Sequence, residues 1–216
     1  MCKGVIFDMD GVLIDSHPLH RKAWAQFLVS VDRPVSDEEL DFVLDGRKRE
    51  EILRHFLGNL PAERIREYGR RKDEIYAESS RNLKMISGVE EFLGMLESAG
   101  LPMAVATSAS FARARGTLDE LGILTRFSAL VTGNEVVNGK PDPEVFVRAA
   151  ERLNLAPRSL LVVEDAVSGV RAAKSAGMKC LGIAAGGHGE KLLAAGADRV
   201  VRDYRQISLQ EVQQLF

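Results

Sequence analysis

The sequence predicts an α/β fold: a doubly wound parallel sheet with an all-helical domain inserted after its first strand. Three observations carry this. Short apolar runs alternate with helical stretches from about residue 86 onward. Reactive side chains recur immediately after those runs. One long stretch, between the first run and the rest, contains no strand pattern. Alternating strands and helices imply a parallel sheet covered on both faces.

The elements follow in order. Val5, Ile6 and Phe7 mark a first strand over about 3–8, closed by Asp8-Met9-Asp10-Gly11-Val12. Residues 17–83 then read as helical, punctuated by Pro34 and Pro61. Trp24, Phe27, Leu28 and Val31 form an apolar stripe at helical spacing. Ser36-Asp37-Glu38-Glu39 reads as a capping box, with Ser36 at the N-cap and Glu39 reaching back. Helices are expected near 36–44, 48–57 and 61–82.

After Ser87-Gly88 the strand–helix alternation begins. Val89, Phe92, Leu93 and Leu96 mark a helical face stopped by Gly100. Residues 103–106 form a short buried strand, followed by a helix to Leu121-Gly122. Ala129-Leu130-Val131 is the next strand. Asp142 is expected as an N-cap with Pro143 at the first helical position. Residues 160–163 are the most apolar strand, leading into an alanine-rich helix that ends at Gly177. Residues 180–183 and 199–201 are the last strands. There is no internal repeat. The expected division is a core of 1–15 and 86–216 and a helical domain of 16–85, with hinges at 11–16 and 84–88.

At 216 residues the chain suits one domain, or a core with an insertion. Its 45% hydrophobic and 28% charged residues are those of a globular protein. A net charge of −2 advertises neither a nucleic-acid surface nor a polybasic membrane patch. No apolar run approaches the ~20 residues needed to span a bilayer. Lys3 precedes only Val5, Ile6 and Phe7 before Asp8 interrupts, so no signal peptide is expected. Cys2 and Cys180 form no disulfide framework and fit a reducing compartment. A cytoplasmic monomer without nucleic-acid or membrane partners is expected.

The residues after the strands point to chemistry. Asp8 and Asp10 follow strand one, and Thr107 and Ser108 follow strand two. Gly139-Lys140-Pro141 lies beyond strand three, and Glu164-Asp165 ends strand four. Right-handed crossovers make all strands point one way, so these residues gather on one sheet edge. Carboxylates beside a buried run cost several kcal/mol unless a cation or partner offsets them. A solvated turn explains any one of these stretches, but not all four together.

Such a set supports phosphoryl transfer. A carboxylate attacks phosphorus. A divalent cation with oxygen ligands, usually Mg2+, relieves the repulsion among carboxylates and substrate. A lysine and a hydroxyl hold the phosphoryl oxygens. A second carboxylate, slightly offset, moves protons.

At these residues the chain resembles the haloacid dehalogenase superfamily of phosphatases and phosphomutases, over essentially its whole length. Asp8-Met9-Asp10-Gly11-Val12 matches its first motif, Thr107 the second, Lys140 the third and Glu164-Asp165 the fourth. The resemblance implies a Rossmann-like core with a helical cap. It makes Asp8 the nucleophile that forms an aspartyl phosphate, and Asp10 the general acid and then base. Asp8, the Asp10 backbone carbonyl and Asp165 would hold Mg2+, with Glu164 in or beside the metal shell. Thr107, the amides of Ser108 and Ala109, and Lys140 would bind the phosphoryl group. Dehalogenases and phosphonatases of the superfamily lack an aspartate at the position of Asp10, so the resemblance favours phosphate esters.

Substrate choice is expected in the cap. The stretch from Ser16 to Trp24 resembles beta-phosphoglucomutases and sugar phosphatases, and His20 falls where the mutase has a histidine near its acid–base aspartate. Gly46-Arg47-Lys48-Arg49 resembles the mutase cap loop, with Arg49 at its phosphate-binding arginine. Lys72 matches the mutase cap lysine more loosely; by residue type alone, Arg70-Arg71-Lys72 reads as a solvated face. His17 reads as a solvent-facing helix-start residue, and Trp24 as cap core. The Thr107-Ser108 pair departs from the serine-alanine usual in the mutase. The expected activity is therefore hydrolysis of a small phosphorylated metabolite, a sugar phosphate. The alternative is a beta-phosphoglucomutase. A non-catalytic phospho-aspartate signalling module is the remote third reading, since a receiver is shorter, lacks the insert and takes its phosphoacceptor from a later strand.

Overall fold

The structure, a computed structural model, describes residues 1–79 and 83–216. Its centre is a six-stranded parallel sheet in the order β3-β2-β1-β4-β5-β6. The strands are β1 (Gly4–Phe7), β2 (Met103–Ala106), β3 (Ala129–Val131), β4 (Leu160–Glu164), β5 (Lys179–Ile183) and β6 (Arg199–Val201). Strand order reverses at β1, which lies between β2 and β4, so the ligand crevice of such a sheet opens beyond that pair.

Register places the chemistry. Phe7 stands level with Val105 on one side and Val163 on the other. The next residue, Asp8, is therefore level with the last residues of β2 and β4. Its amide donates to the Val163 carbonyl at 3.0 Å.

Strand alternation divides the core. Val5, Phe7, Val105, Leu161 and Val163 face a layer built by α4 (Val89–Ser98), α5 (Phe111–Glu120) and α9 (Leu209–Gln214). Ile6, Ala104, Leu160, Val162 and Cys180 face α6 (Glu144–Leu153) and α7 (Val167–Ser175). The short α8 (Gly189–Ala194) packs beside β5 and β6 and adds Leu192 to that second layer. Phe7 is fully buried and meets Phe92 and Phe127 edge-on, with centroids 6.2 and 6.0 Å apart. Burying such a ring contributes roughly 2–3 kcal/mol, and aromatic contacts add to it.

The inserted helices enclose a core of their own. Trp24, Phe27 and Leu28 of α1 (His17–Val29) pack on Ile52, Leu53 and Phe56 of α2 (Arg49–Leu57) and Ile65 of α3 (Ala62–Ser79). The two connecting strands run side by side: Asp15 N donates to Lys84 O at 2.8 Å, and Ile86 N to Leu13 O at 3.1 Å. Among the described residues no helix is long and apolar enough to cross a membrane.

Local expectations hold with shifts. The Ser36–Glu39 capping contacts form, at 2.9 and 3.2 Å, but they open a 3-10 turn over Glu39–Leu44 rather than an α-helix. Asp142 caps the Glu144 amide at 3.0 Å, yet α6 starts at Glu144 with Pro143 as N-cap. An N-cap side chain bonds the amide two residues on, so the Asp142 carboxylate reaches Glu144 past Pro143. The expected end of the 61–82 helix, past Ser79, lies outside the described residues.

Candidate active site

Lys140 links the first and fourth sequence motifs. Its Nζ is fully buried and donates to Asp8 Oδ1 at 2.6 Å and to Glu164 Oε1 at 2.5 Å. Burial alone would lower the ammonium; the two carboxylates outweigh it and hold Lys140 above its usual range. Burial, assisted by Glu164 and Asp10 and opposed by Lys140, pushes the Asp8 carboxyl up to about 7.

Glu164 has both oxygens committed. Oε1 accepts from Lys140, and Oε2 accepts from the Asp165 and Ala166 amides at 2.9 Å each. A Cβ on Gly169 would sit 1.8 Å from Oε1, so only glycine lets α7 approach this carboxylate. Glu164 thus contacts Lys140, at the place where the sequence expects it in or beside a metal shell.

Asp165 is also buried. Its Oδ2 receives no aligned hydrogen bond, although His17 Nε2 stands 2.9 Å away as an ion pair. Burial would lower the imidazole, but Asp165, Asp10 and Asp8 lift it to about 9. His17 therefore faces the carboxylates, contrary to its expected exposure: it opens α1 with Pro18 next to it, and Gly11 turns at φ +73° beneath it. A Cβ on Gly11 would fall 2.1 Å from Asp165 Oδ2. His188 adds a contact that the sequence did not advertise, Nε2 to the Asp165 carbonyl at 2.8 Å.

Asp10 is gripped by three side chains through four contacts. Ser16 Oγ donates at 2.7 Å, His20 Nε2 lies at 3.0 Å, and Arg113 binds both oxygens at 2.9 and 2.5 Å. Burial would raise this carboxyl; Arg113 and then His20 outweigh it and hold it well below the usual range. Arg113 was not among the expected site residues. It sits in α5 of the core, in a stretch whose composition does not separate it from a surface helix.

The expected cap residues are present, some in other roles. His20 is buried, stacked on Tyr76 with centroids 4.5 Å apart. Burial and Lys72 lower its imidazole to about 4, so it is neutral near pH 7. Lys72 Nζ, 3.3 Å from His20 Nδ1, can only donate, which assigns the Nε2 proton to the Asp10 side. Lys72 is 4% exposed rather than on a solvated face: it lies over the Trp24 and Tyr76 rings, and burial lowers it to about 8. Arg49 lines the cleft but pairs with Asp73 at 2.6 Å, and its buried Nε has no hydrogen-bond partner. Trp24 is cap core and also lines the cleft.

The second motif is likewise divided. Thr107 is buried and its Oγ1 accepts the Ala109 amide at 3.1 Å, so that amide turns to Thr107 rather than outward. Ser108 Oγ donates to the Gly46 carbonyl of the cap at 2.6 Å. Asp8, Asp10, Thr107, Ser108, Arg113 and Asp165 share one cleft with the cap loop. Among the described residues no three acidic, histidine or cysteine side chains already converge as a metal cluster.

This arrangement matches known proteins closely. A profile described as haloacid dehalogenase-like hydrolase matches residues 2–177. A phosphorylated carbohydrates phosphatase of Thermotoga maritima is 34% identical over 214 residues, 93% of this chain and 94% of that protein. Beta-phosphoglucomutase of Bacillus subtilis is 33% identical over 218 residues, 96% of this chain and 92% of that protein. The crystal structure of a Clostridium difficile beta-phosphoglucomutase superposes with a TM-score of 0.88 at 26% identity, covering 100% of this chain and 97% of that one. With the strand-end residues brought into one cleft under a helical cap, the chain belongs to the haloacid dehalogenase-like hydrolase family and is an enzyme of that family.

Proposed function

We propose that the protein is a Mg2+-dependent phosphatase that hydrolyses small sugar phosphates through an aspartyl phosphate on Asp8. The observation that carries this reading is the buried Asp8–Lys140 pair at 2.6 Å with a second carboxylate, Asp10, held two residues away by four donors. In the first half, Asp8 forms a bond to phosphorus as the bond to the sugar oxygen breaks, and Asp10 gives that oxygen a proton, which it must first take up against the pull of Arg113. In the second half, Asp10 takes a proton from the water that attacks phosphorus, and Asp8 is released. Lys140 fixes Asp8 and meets the phosphoryl charge, with Thr107 and the Ser108 amide beside it. Glu164 positions Lys140.

The donor set fits a divalent cation. The buried Asp165 Oδ2 without an aligned hydrogen bond, the Asp8 carboxylate and the Asp10 carbonyl are hard oxygen ligands of the kind Mg2+ takes. When bound there, the ion would neutralise the charge gathered between carboxylates and phosphoryl oxygens. Glu164 would stand beside that shell, since its oxygens are already engaged.

The phosphatase reading draws support from relatives named for it. Besides the Thermotoga protein, hexitol phosphatase A of Escherichia coli is 32% identical over 182 residues. Arg49, which a mutase would use on a second phosphate, is here tied to Asp73. The mutase reading keeps His20 against Asp10 and the likeness to beta-phosphoglucomutases in its favour. The deciding assay incubates the protein with beta-glucose 1-phosphate and Mg2+, with and without glucose 1,6-bisphosphate. Free phosphate, abolished by EDTA and restored by Mg2+, is the expected result. Glucose 6-phosphate formed only with the bisphosphate would replace this reading by the mutase.

A further inference from the structure

One short cap segment, residues 45–48, is tied to three separate parts of the core, two loops and the first turn of α7. Ser108, after β2, donates its hydroxyl to the Gly46 carbonyl at 2.6 Å. Lys48 Nζ donates to the Val136 carbonyl, in the loop after β3, at 2.8 Å. Ser168, in the first turn of α7 after β4, donates its amide to Asp45 Oδ1 at 3.2 Å and its hydroxyl to the Asp45 carbonyl. Close packing accompanies these bonds. A Cβ on Gly46 would lie 3.3 Å from both Ala166 Cβ and Ser168 Oγ, and one on Gly139 would lie 2.5 Å from Lys48 Cγ.

The segments that make these ties adjoin Thr107, Lys140 and Glu164-Asp165. Phosphoryl chemistry requires neither hydroxyl: both are spent on backbone carbonyls of the cap. We propose that Ser168 and Ser108 are positioning residues that latch cap segment 45–48 over Asp8, and so hold the cleft closed around its substrate. Their hydroxyls touch no reacting atom and act through the segment's path. Because the acceptors are mainly backbone carbonyls, the latch reads the course of the loop, which Gly46 sets at φ +68°. Arg47 and Arg49, next to the latch, are carried into the cleft by it. Losing one such hydrogen bond shifts a closed–open balance by about threefold to tenfold.

The test replaces Ser168 by Ala, with Ser168→Thr as the variant that keeps the hydroxyl. Two quantities are measured on the full chain: amide hydrogen exchange of residues 45–49, and KM and kcat for p-nitrophenyl phosphate with Mg2+. In Ser168→Ala, exchange of 45–49 is expected to rise about fivefold and KM about fivefold, with kcat changed less than twofold and the urea midpoint unaltered. Ser168→Thr is expected to restore both, and Ser108→Ala to raise exchange in the same segment. Unchanged exchange at 45–49 overturns the proposal. So does faster exchange without a KM effect, and so does loosening spread along α7 with a lower urea midpoint, which marks a merely structural serine. The exchange arm needs no substrate, so its outcome stands apart from whether the enzyme prefers sugar phosphates.

Discussion

Arg113 binds both oxygens of Asp10, at 2.9 and 2.5 Å, across more than a hundred positions of sequence. The guanidinium also lies 5.3 Å from the Tyr76 ring of the cap, so one side chain joins the acid–base candidate, α5 and α3. Replacing Arg113 with Gln leaves Asp10 with Ser16 and His20 alone. Stability is expected to fall by roughly 2–3 kcal/mol, since a largely buried carboxylate loses its main counter-charge. Turnover is expected to fall about 10- to 100-fold as Asp10 loses its fixed orientation. Urea titration and steady-state kinetics measure the two effects.

Asp8→Asn removes the proposed nucleophile while keeping its shape. Turnover is expected to drop by more than about a thousandfold, as for other enzymes stripped of the attacking group. Mass spectrometry of acid-quenched enzyme should show a phosphoryl adduct on the natural protein and none on the variant. An Asn variant that still turns over at near-normal rate would remove Asp8 from the chemistry.

Gly169→Ala is a substitution that helix propensity alone would favour by up to about 1 kcal/mol. Here its methyl would land 1.8 Å from Glu164 Oε1. Glu164 must then move, and Lys140 with it. The expected result is a loss of about 100-fold in kcat, the scale of a displacement of about 1 Å at a site. Circular dichroism should show helix content unchanged.

Asp198 tests charge and pH together. It accepts from Lys174 at 2.6 Å, Lys179 at 2.9 Å and the Cys180 amide at 2.8 Å. Burial opposes its charge, but these donors outweigh burial and hold the carboxyl below its usual range. The folded chain therefore binds this proton less readily than the unfolded one. The stabilisation is present above the unfolded value, about pH 4, and is lost as pH falls through the folded value. Asp198→Asn is expected to cost about 1 kcal/mol at neutral pH and nothing once both states are protonated. Urea midpoints at neutral pH and near pH 2–3 give the comparison.

Much of this architecture is legible along the chain because its signals are local. Val5, Ile6 and Phe7 announce a buried strand, and Asp8 follows within the same short stretch. The runs at 103–106 and 160–163 do the same for Thr107 and Glu164-Asp165. Parallel strands with right-handed crossovers then place all of them on one edge without any knowledge of side-chain contacts. Lys140 follows from the same logic, since the loop after β3 has nowhere else to lie.

The cap was harder, for a physical reason. Helical periodicity reports which face is apolar, not what that face meets. Lys72 lies in a run of charges that reads as solvated, yet the Trp24 and Tyr76 rings cover it. His17 reads as exposed, yet it faces Asp165 because Gly11 and Pro18 turn the chain beneath it.

What sequence alone made legible is the sheet and its reactive edge, because both rest on residues adjacent in the chain; the roles of Asp8 and Asp10 come from the family resemblance and stand as a proposal. What required the folded molecule is the partner of each charge. Arg113 reaches Asp10, Glu164 accepts from Lys140, and Ser168 holds Asp45. These contacts join segments 24 to 123 residues apart. Only the docking of cap on core, set by the fit of glycines at 46 and 139 against neighbouring loops, brings the cap-side partners within hydrogen-bond reach.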